Sequence, residues 1–210
     1  MKSINVIIPA FNEEKSIGHV IRDIPKIVDE IIVVNNNSTD NTQEVAEETG
    51  ATVVFEKRKG YGYSCLKGIE YLNNQDKEPD IVVFLDGDFS DFPEELIPIT
   101  EPILNGSVDF VLGSRVKKLR EKGSMTPQQV FGNWLACFLM RILYKSNFTD
   151  LGPFRAIKWD TLIDLNMVDK TYGWTIEMQL KILKKQIPYQ EIKVNYRQRI
   201  GVSKVSGTLK

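Results

Sequence analysis

The segment IVVFLDGD, residues 81–88, joins five consecutive apolar residues to two aspartates that are separated by one glycine. An apolar run without alternation is typical of a strand that is covered on both faces, as in the interior of a parallel sheet. Comparable runs occur at 4–9 (INVIIP), 30–34 (EIIVV), 51–55 (ATVVF) and 109–113 (DFVLG). Together the five runs predict a sheet with helices packed on both faces.

Amphipathic helices are predicted between the first strands. The first helix carries apolar residues at the i, i+3, i+4 and i+7 spacing of one helical face, namely Ile17, Val20, Ile21 and Ile24. We expect Asn12 to cap this helix, Asp40 to cap the next one and Gly50 to end it. The alternation of strands and helices predicts an α/β fold with an open, mainly parallel sheet. In such sheets ligands bind beyond the carboxyl ends of the strands.

The pattern changes near residue 115. A polar segment at 116–126 predicts a loop, and an unusually apolar helix follows at 128–145. A short strand at 154–157, a helix at 174–184 and an alternating, half-buried strand at 192–197 complete the prediction. Trp134 and Phe138 belong to the apolar stripe of the long helix, which we expect to be part of the core. The alternative is that this face lies in a membrane interface, with Arg141 and Lys145 near lipid phosphates.

The composition excludes several classes of catalyst. The chain has 210 residues, with 27 Lys and Arg against 28 Asp and Glu, one histidine and two cysteines. The balanced charge provides no basic field for nucleic acid, and the single histidine, His19, excludes a multi-histidine metal site. Cys65 and Cys137 form no CxxC pair and are expected to be reduced and partly buried. No run approaches the roughly 20 apolar residues that span a bilayer.

Polar side chains follow the predicted strands at the edge where an open sheet binds its ligand. Asn35 follows the second strand, and Asp86 and Asp88 follow the fourth. Two carboxylates separated by Gly87 can face one hard cation, Mg²⁺ or Mn²⁺, which keeps open positions for the oxygens of a diphosphate. A solvated acidic turn is the alternative interpretation. The chain lacks the glycine patterns of a dinucleotide-binding site and of a P-loop nucleotidase.

Several segments, in this order, resemble family 2 glycosyltransferases of the GT-A fold. They are VIIPAFNEE (6–14), EIIVVNNNSTD (30–40) and FLDGD (84–88). The segments GSR (113–115), DLGPFR (150–155), TIEM (175–178) and RIGVSK (199–204) look closest to the branch that transfers hexoses to polyprenyl or dolichyl phosphate. The resemblance covers nearly the whole chain. It implies one GT-A nucleotide-diphospho-sugar transferase domain, with a nucleotide-sugar-binding half at 1–115 and an acceptor-binding half at 116–210.

The resemblance also implies roles for individual residues. Nucleotide-sugar binding is implied for Pro9, Phe11, Glu13, Asn35, Lys59, Asp86, Gly87, Asp88, Arg115 and Ser203. Catalytic roles are implied for Asp88, Arg199, Lys204 and Asp150. Asp86 and Asp88 match the metal motif of the family. Asn35 and Ser90 stand where many relatives have Asp and Gln, which leaves the base preference and a third metal ligand open.

The resemblance implies a metal-dependent, inverting transfer of a hexose from a UDP- or GDP-sugar, with polyprenyl phosphate as the expected acceptor. A phosphate acceptor is already an anionic nucleophile, whereas a hydroxyl acceptor needs a base, for which Asp91, Asp150 and Glu177 are candidates. The alternatives are a glycosyltransferase for a soluble or cell-surface glycan, a sugar-nucleotide pyrophosphorylase and a non-catalytic sugar-nucleotide sensor. We expect a cytoplasmic protein with no nucleic-acid partner; under the alternative interpretation of the long helix, it contacts the inner face of the membrane peripherally.

Overall fold

The computed structural model describes residues 2–201 and contains one seven-stranded sheet within them. The strands are β1 (Ile4–Ala10), β2 (Glu30–Asn35), β3 (Thr52–Phe55), β4 (Ile81–Phe84), β5 (Phe110–Ser114), β6 (Arg155–Lys158) and β7 (Tyr189–Lys193). Their order across the sheet is β3-β2-β1-β4-β6-β5-β7. All neighbouring pairs are parallel except those of β6, which runs antiparallel to β4 and to β5. The predicted α/β fold with a mainly parallel sheet is confirmed.

Helices cover both faces of the sheet. They are α1 (Ile17–Asp23), α2 (Thr42–Glu48), α3 (Tyr61–Asn73), α4 (Leu96–Leu104), α5 (Pro127–Tyr144), α6 (Trp159–Leu165) and α7 (Trp174–Lys184). Apolar residues of α1, α2 and α4 pack on one face, and those of α3, α5, α6 and α7 pack on the other. Successive side chains of a strand alternate, so Ile8 of β1 belongs to the first layer and Ile7 to the second. Cys65 and Cys137 are free and buried, in agreement with the prediction.

Most predicted elements agree with the structure to within one or two residues. The sequence pattern predicts neither α4 nor α6; α4 also carries Pro102 in its interior, where proline is unusual in a helix. The strand predicted at 192–197 is wrong in its position, because β7 pairs with β5 over Tyr189–Lys193. Val194 and Tyr196 are nevertheless buried. The backbone around Tyr196 forms hydrogen bonds to the loop at 116–126 instead of to a strand, since the Tyr196 N–H donates to the Leu119 carbonyl at 3.1 Å.

The prediction that Asn12 caps the first helix is wrong. The helix begins only at Ile17, whereas Asn12 has a left-handed backbone with a φ of 54°. The Asn12 Oδ1 accepts a hydrogen bond from the Thr39 N–H at 2.8 Å, which ties the end of β1 to the loop after β2. The cap of the next helix is Asn41, one residue after the predicted Asp40, but the Asp40 Oδ1 does accept a hydrogen bond from the Thr42 N–H at the start of this helix, at 3.1 Å.

Helix α5 leaves most of its apolar surface exposed. Only Cys137 and Met140 are buried within it. Its exposed apolar residues are Val130, Phe131, Trp134, Leu135, Phe138, Leu139, Ile142 and Leu143. The expectation that Trp134 and Phe138 belong to the core is therefore wrong, since these side chains are 56% and 41% exposed. Across residues 2–201, no helix has both the length and the apolar character needed to cross a membrane.

Candidate active site

The carboxyl ends of three strands meet at the edge of the sheet where ligand binding is expected. β1 lies between β2 and β4 and is parallel to both. Ala10 is in register with Asn35, and the Leu85 N–H donates to the Ile7 carbonyl at 3.2 Å. Phe11, Asn35 and Asp86 therefore share this edge although they come from distant segments of the chain.

The predicted nucleoside-binding residues are held in place by hydrogen bonds. The Asn35 Oδ1 accepts from the Ser38 N–H at 2.9 Å, and its Nδ2 donates to the Gln43 Oε1 at 3.2 Å. Glu13 is buried, and the Ser16 hydroxyl donates to its Oε2 at 3.0 Å. Polar groups that are fixed before a ligand binds lose little conformational freedom on binding.

A cavity of about 310 Å³ lies next to the buried Glu13. Its lining residues are Asn12, Glu13, Glu14, Lys15, Asp40, Ile200 and Gly201. Phe11 precedes this set in the chain, and the Lys59 ammonium lies 5.2 Å from the centroid of the Phe11 ring. This distance is within the range of a cation–π contact. The structure thus brings together Phe11 and Lys59, which the sequence predicts to bind the nucleotide.

The two aspartates of the DGD segment, residues 86–88, have different surroundings. The Asp86 Oδ1 is buried and has no hydrogen-bond partner among the described residues. Burial and the negative charge of Asp88 raise the pKa of Asp86 to about 7. Asp88 accepts hydrogen bonds from the Ser90 N–H at 2.9 Å and from the Ser90 hydroxyl at 2.5 Å. The Asp88 Oδ2 lies 2.9 Å from Nη1 of Arg199.

This pair of carboxylates fits a divalent cation that takes further ligands from a substrate. Between residues 2 and 201, no group of three or more His, Cys, Asp or Glu side chains could hold a metal ion. Mg²⁺, however, is usually bound by one or two carboxylates together with waters and substrate phosphates. The Asp86 Oδ1 is a buried carboxylate oxygen to which no described residue donates, and such an oxygen favours a ligand at this position. Ser90 uses its hydroxyl to orient Asp88.

Asp150 forms a buried ion pair with Arg115. The Arg115 Nε and Nη2 donate to the two carboxylate oxygens at 2.8 and 2.9 Å, and the Arg115 N–H donates at 2.8 Å. The Leu151 N–H adds a fourth hydrogen bond at 2.9 Å. Although burial opposes ionisation, the charge and hydrogen bonds of Arg115 hold the pKa of Asp150 below its ordinary value. These contacts suit Asp150 to holding Arg115 in place and disfavour proton abstraction by its carboxylate.

The other two candidate bases differ from each other. Glu177, in the first turn of α7, accepts hydrogen bonds from two backbone N–H groups of the preceding loop at 2.9 and 2.7 Å. Although burial acts in the opposite sense, these bonds and Lys181 lower the pKa of Glu177. Asp91 is fully buried, and neither of its carboxylate oxygens has a partner in the described part of the chain. Burial raises the pKa of Asp91 well above its usual range, which favours the neutral acid.

A segment at 194–200, which we call the strap, lies over the DGD segment. The N–H groups of Arg197 and Ile200 donate to the carbonyls of Ser90 and Asp88, each at 2.9 Å. Arg199 lies between these two attachment points, and its guanidinium therefore reaches the Asp88 carboxylate. The structure thus brings Arg199 to the site, as the sequence predicts.

The strap also joins the site to the polar loop at 116–126. The Glu121 N–H donates to the Tyr196 carbonyl at 2.8 Å, and the Gln198 N–H donates to the Glu121 carboxylate at 2.8 Å. The predicted phosphate-binding residues Ser203 and Lys204 follow the strap and lie outside the described residues. Their roles stay predictions.

Two arginines near the site, Arg155 and Arg197, are not among the residues predicted to act there. Arg155 is fully buried and donates to the carbonyls of Gly152, Pro153 and Thr175, the last two at 3.3 and 3.1 Å. Burial lowers the pKa of Arg155 to about 10. Arg197 also donates to backbone carbonyls, in the turn that follows the DGD segment. The only sequence signal for either residue is its place within or next to a motif that carries the family resemblance.

Comparisons with known proteins agree with this geometry. The family model described as Glycosyl transferase family 2 matches residues 5–164. An uncharacterized glycosyltransferase of Mycobacterium bovis is 31% identical over 211 residues, covering 99% of this chain and 92% of that protein. A dolichyl-phosphate hexose transferase of Haloferax volcanii is 29% identical, covering 95% of this chain and 85% of that protein.

A solved structure shares the fold. It is glucosyl-3-phosphoglycerate synthase from Mycobacterium tuberculosis, crystallised with Mn²⁺, UDP and glucosyl-3-phosphoglycerate. The TM-score is 0.73 at 22% identity, and the match covers 96% of this chain and 72% of that chain.

Proposed function

The chain belongs to glycosyl transferase family 2, and we propose that it transfers a hexose from a UDP- or GDP-sugar to a polyprenyl phosphate. The observation that carries the donor site is the buried Oδ1 of Asp86, which has no hydrogen-bond partner among residues 2–201 and lies beside Asp88 at the end of β4. The structural neighbour crystallised with Mn²⁺ and UDP supports a sugar-nucleotide donor. The relative named for dolichyl phosphate supports a lipid-phosphate acceptor. We further propose that residues 1–115 handle the donor and the remainder the acceptor.

The donor site must stabilise the negative charge that develops on the leaving nucleoside diphosphate. Arg199 is the cation nearest to the aspartates in the described part of the chain, with its Nη1 2.9 Å from the Asp88 Oδ2. A fixed cation of this kind acts where charge develops and lowers the barrier. Mg²⁺ or Mn²⁺, when bound, supplies further positive charge at the diphosphate, and Asp86 and Asp88 are the residues that would hold it.

The candidate bases favour a phosphate acceptor over a hydroxyl acceptor. Asp150 is engaged by Arg115, Glu177 holds the loop before α7, and Asp91 is fully buried. In the proposed reaction a phosphate oxygen attacks the anomeric carbon while the bond from that carbon to the diphosphate oxygen breaks. The nucleoside diphosphate leaves and the configuration inverts. The attacking phosphate is an anion, so this step needs no general base.

The exposed face of α5 supports a membrane location for the acceptor. Phe131, Trp134 and Leu143 are 62%, 56% and 68% exposed, which is unusual for large apolar side chains on one helix. Basic residues are close to this face in the sequence, on the helix, directly after it and in the preceding loop: Arg141, Lys145, Lys117, Lys118, Arg120 and Lys122. An apolar helix face with cations nearby in the chain suits the surface of an anionic bilayer, where a polyprenyl phosphate resides.

Release of nucleoside diphosphate tests the reaction. The protein is incubated with a panel of UDP- and GDP-hexoses and Mn²⁺, with and without a short polyprenyl phosphate. We expect the release of nucleoside diphosphate from one donor to rise when the lipid phosphate is added. The Asp88→Asn variant should show no such release. Stimulation by a soluble or cell-surface glycan alone would replace the proposed acceptor. Absence of release from every donor would contradict the proposed reaction.

Flotation with anionic liposomes tests the membrane location. The wild type should float, and Trp134→Glu or Phe138→Glu should remain at the bottom of the gradient while folded. Ile97→Glu is the matched control, because Ile97 is also exposed, at 51%, but belongs to α4 on the opposite face of the sheet. Failure of the wild type to float would contradict the membrane location and favour a soluble acceptor.

A further inference from the structure

Phe89 has an unusual backbone conformation directly after Asp88. Its φ is 63°, in the left-handed region that residues with a Cβ rarely adopt. The turn at Phe89 helps to determine where Asp88 points, because the Asp88 Oδ1 accepts a hydrogen bond across it from the Ser90 N–H. A phenylalanine has no local preference for this conformation, so the surroundings must stabilise it.

Arg197 of the strap contacts this turn on several sides. Its Nε donates to the Phe89 carbonyl at 2.6 Å, and its Nη2 donates to the Asp91 carbonyl at 3.0 Å. Its guanidinium carbon lies 3.4 Å from the centroid of the Phe89 ring and 4.1 Å from that of the Phe92 ring. The planar guanidinium of Arg197 thus contacts both the backbone and the ring of Phe89, the residue with the left-handed conformation.

The contacts of Arg197 differ in kind from those of Arg199. Arg199 pairs with the Asp88 carboxylate, whereas Arg197 has no carboxylate within ion-pair distance among residues 2–201. A lysine could not replace Arg197, because an ammonium group has no planar fork that donates in two directions while it stacks on a ring. The shape of the guanidinium, more than its charge, therefore makes these contacts.

We propose that Arg197 is a positioning residue of the Asp86–Asp88 site. It holds the left-handed turn at Phe89, sets the direction of the Asp88 carboxylate and thereby raises the affinity of the site for a divalent cation. This inference rests on the proposed function, since it concerns the same cation. It also couples the strap to the site, because Arg197 holds the turn only while the strap lies over 89–92.

Binding of Mn²⁺ in the presence of UDP, followed by EPR spectroscopy of the free ion, tests this proposal without turnover. We expect Arg197→Gln and Arg197→Lys each to weaken Mn²⁺ binding by about 10- to 100-fold, as for other residues that orient a metal ligand. In turnover assays of these variants, the fold-increase in the KM for Mn²⁺ should exceed the fold-decrease in kcat measured at saturating Mn²⁺. Arg22→Gln is the matched control, because Arg22 is an exposed arginine in the last turn of α1.

A glycine at position 89 separates positioning from general loss of structure. Glycine adopts a positive φ without strain, so Phe89→Gly combined with Arg197→Gln should recover part of the lost Mn²⁺ affinity. Arg197→Lys is likewise compared with its double variant that also carries Phe89→Gly. This second pair tests the proposal if Arg197→Gln does not fold.

Two results would overturn the proposal. One is wild-type Mn²⁺ affinity in the Arg197 variants, and the other is a folded double variant, as judged by circular dichroism, that recovers no affinity. If the wild type itself binds no Mn²⁺ with UDP, the proposed function fails as well. Normal binding by both the wild type and Arg197→Gln would overturn this inference alone.

Discussion

Replacement of Asp150 by Asn should destabilise the protein strongly, because it leaves the Arg115 guanidinium buried without an opposite charge. The side chains of Arg115 and Asp150 are only 11% and 5% exposed. The carboxylate accepts three hydrogen bonds from Arg115 and one from the Leu151 N–H. Removal of one partner from such a pair costs about 3–5 kcal/mol. A typical domain has a free energy of unfolding of about 5–15 kcal/mol, so the loss is a large share of the total.

Urea unfolding at neutral pH measures this difference. Asp160→Asn is the matched control, because Asp160 lies 3.9 Å from Lys158 with side chains that are 79% and 48% exposed. Its free energy of unfolding should stay within about 0.5 kcal/mol of the wild type. Asp150→Leu combined with Arg115→Met should be more stable than Asp150→Asn, since no buried charge is left unpaired.

The pH dependence of this stabilisation has a defined sign. Although burial opposes ionisation, Arg115 keeps the pKa of Asp150 in the folded protein below its ordinary value, which is about 3.9. The stabilisation is therefore fully present above the pKa of the unfolded chain and is lost as the pH falls through the folded pKa. The stability difference between the wild type and Asp150→Asn should be constant at neutral pH and shrink below about pH 4.

An Asp150→Asn protein whose free energy of unfolding lies within about 1 kcal/mol of the wild type would refute this reasoning about Asp150. If that stable variant also has no turnover, the result would support the role of general base for which the sequence makes Asp150 a candidate.

Four further predictions concern single substitutions. Asp88→Ala should abolish Mn²⁺-dependent binding of UDP in calorimetry while the chain stays folded, and metal-dependent binding that persists would contradict this. Arg199→Ala should lower kcat by about 10²-fold or more, and an unchanged kcat would remove Arg199 from the proposed mechanism. Gly68→Ala should reduce the free energy of unfolding by about 1–3 kcal/mol, because the new Cβ would lie 2.7 Å from Cγ2 of Ile7. In Gly132→Ala on α5 the new Cβ would meet no atom of residues 2–201 within 4 Å outside the local helix backbone, and the substitution should instead stabilise by about 0.5–1 kcal/mol. Equal effects of the two substitutions in urea unfolding would contradict the packing argument.

The fold class, the family and the location of the aspartate pair can all be predicted from the amino-acid sequence. A strand that is buried on both faces requires consecutive apolar residues whatever its neighbours are, so the five runs predict β1 to β5 to within one or two residues. Asp86 and Asp88 directly follow one of these runs, which places them at the binding edge of an open sheet. The family resemblance is confirmed by the match over residues 5–164.

The side-chain pairs that meet at the site become visible only in the folded chain. Asp150 binds Arg115 across 35 positions of the chain, and Arg197 binds the carbonyl of Phe89 across 108 positions. The sequence therefore predicts Asp150 as a catalytic residue without revealing the donors that surround it. The exposed stripe of α5, with Trp134 at its centre, looks like a core face in the sequence for a related reason. Periodicity reports the chemistry of one element's surface, whereas burial and pairing depend on what the topology of the chain brings opposite that surface.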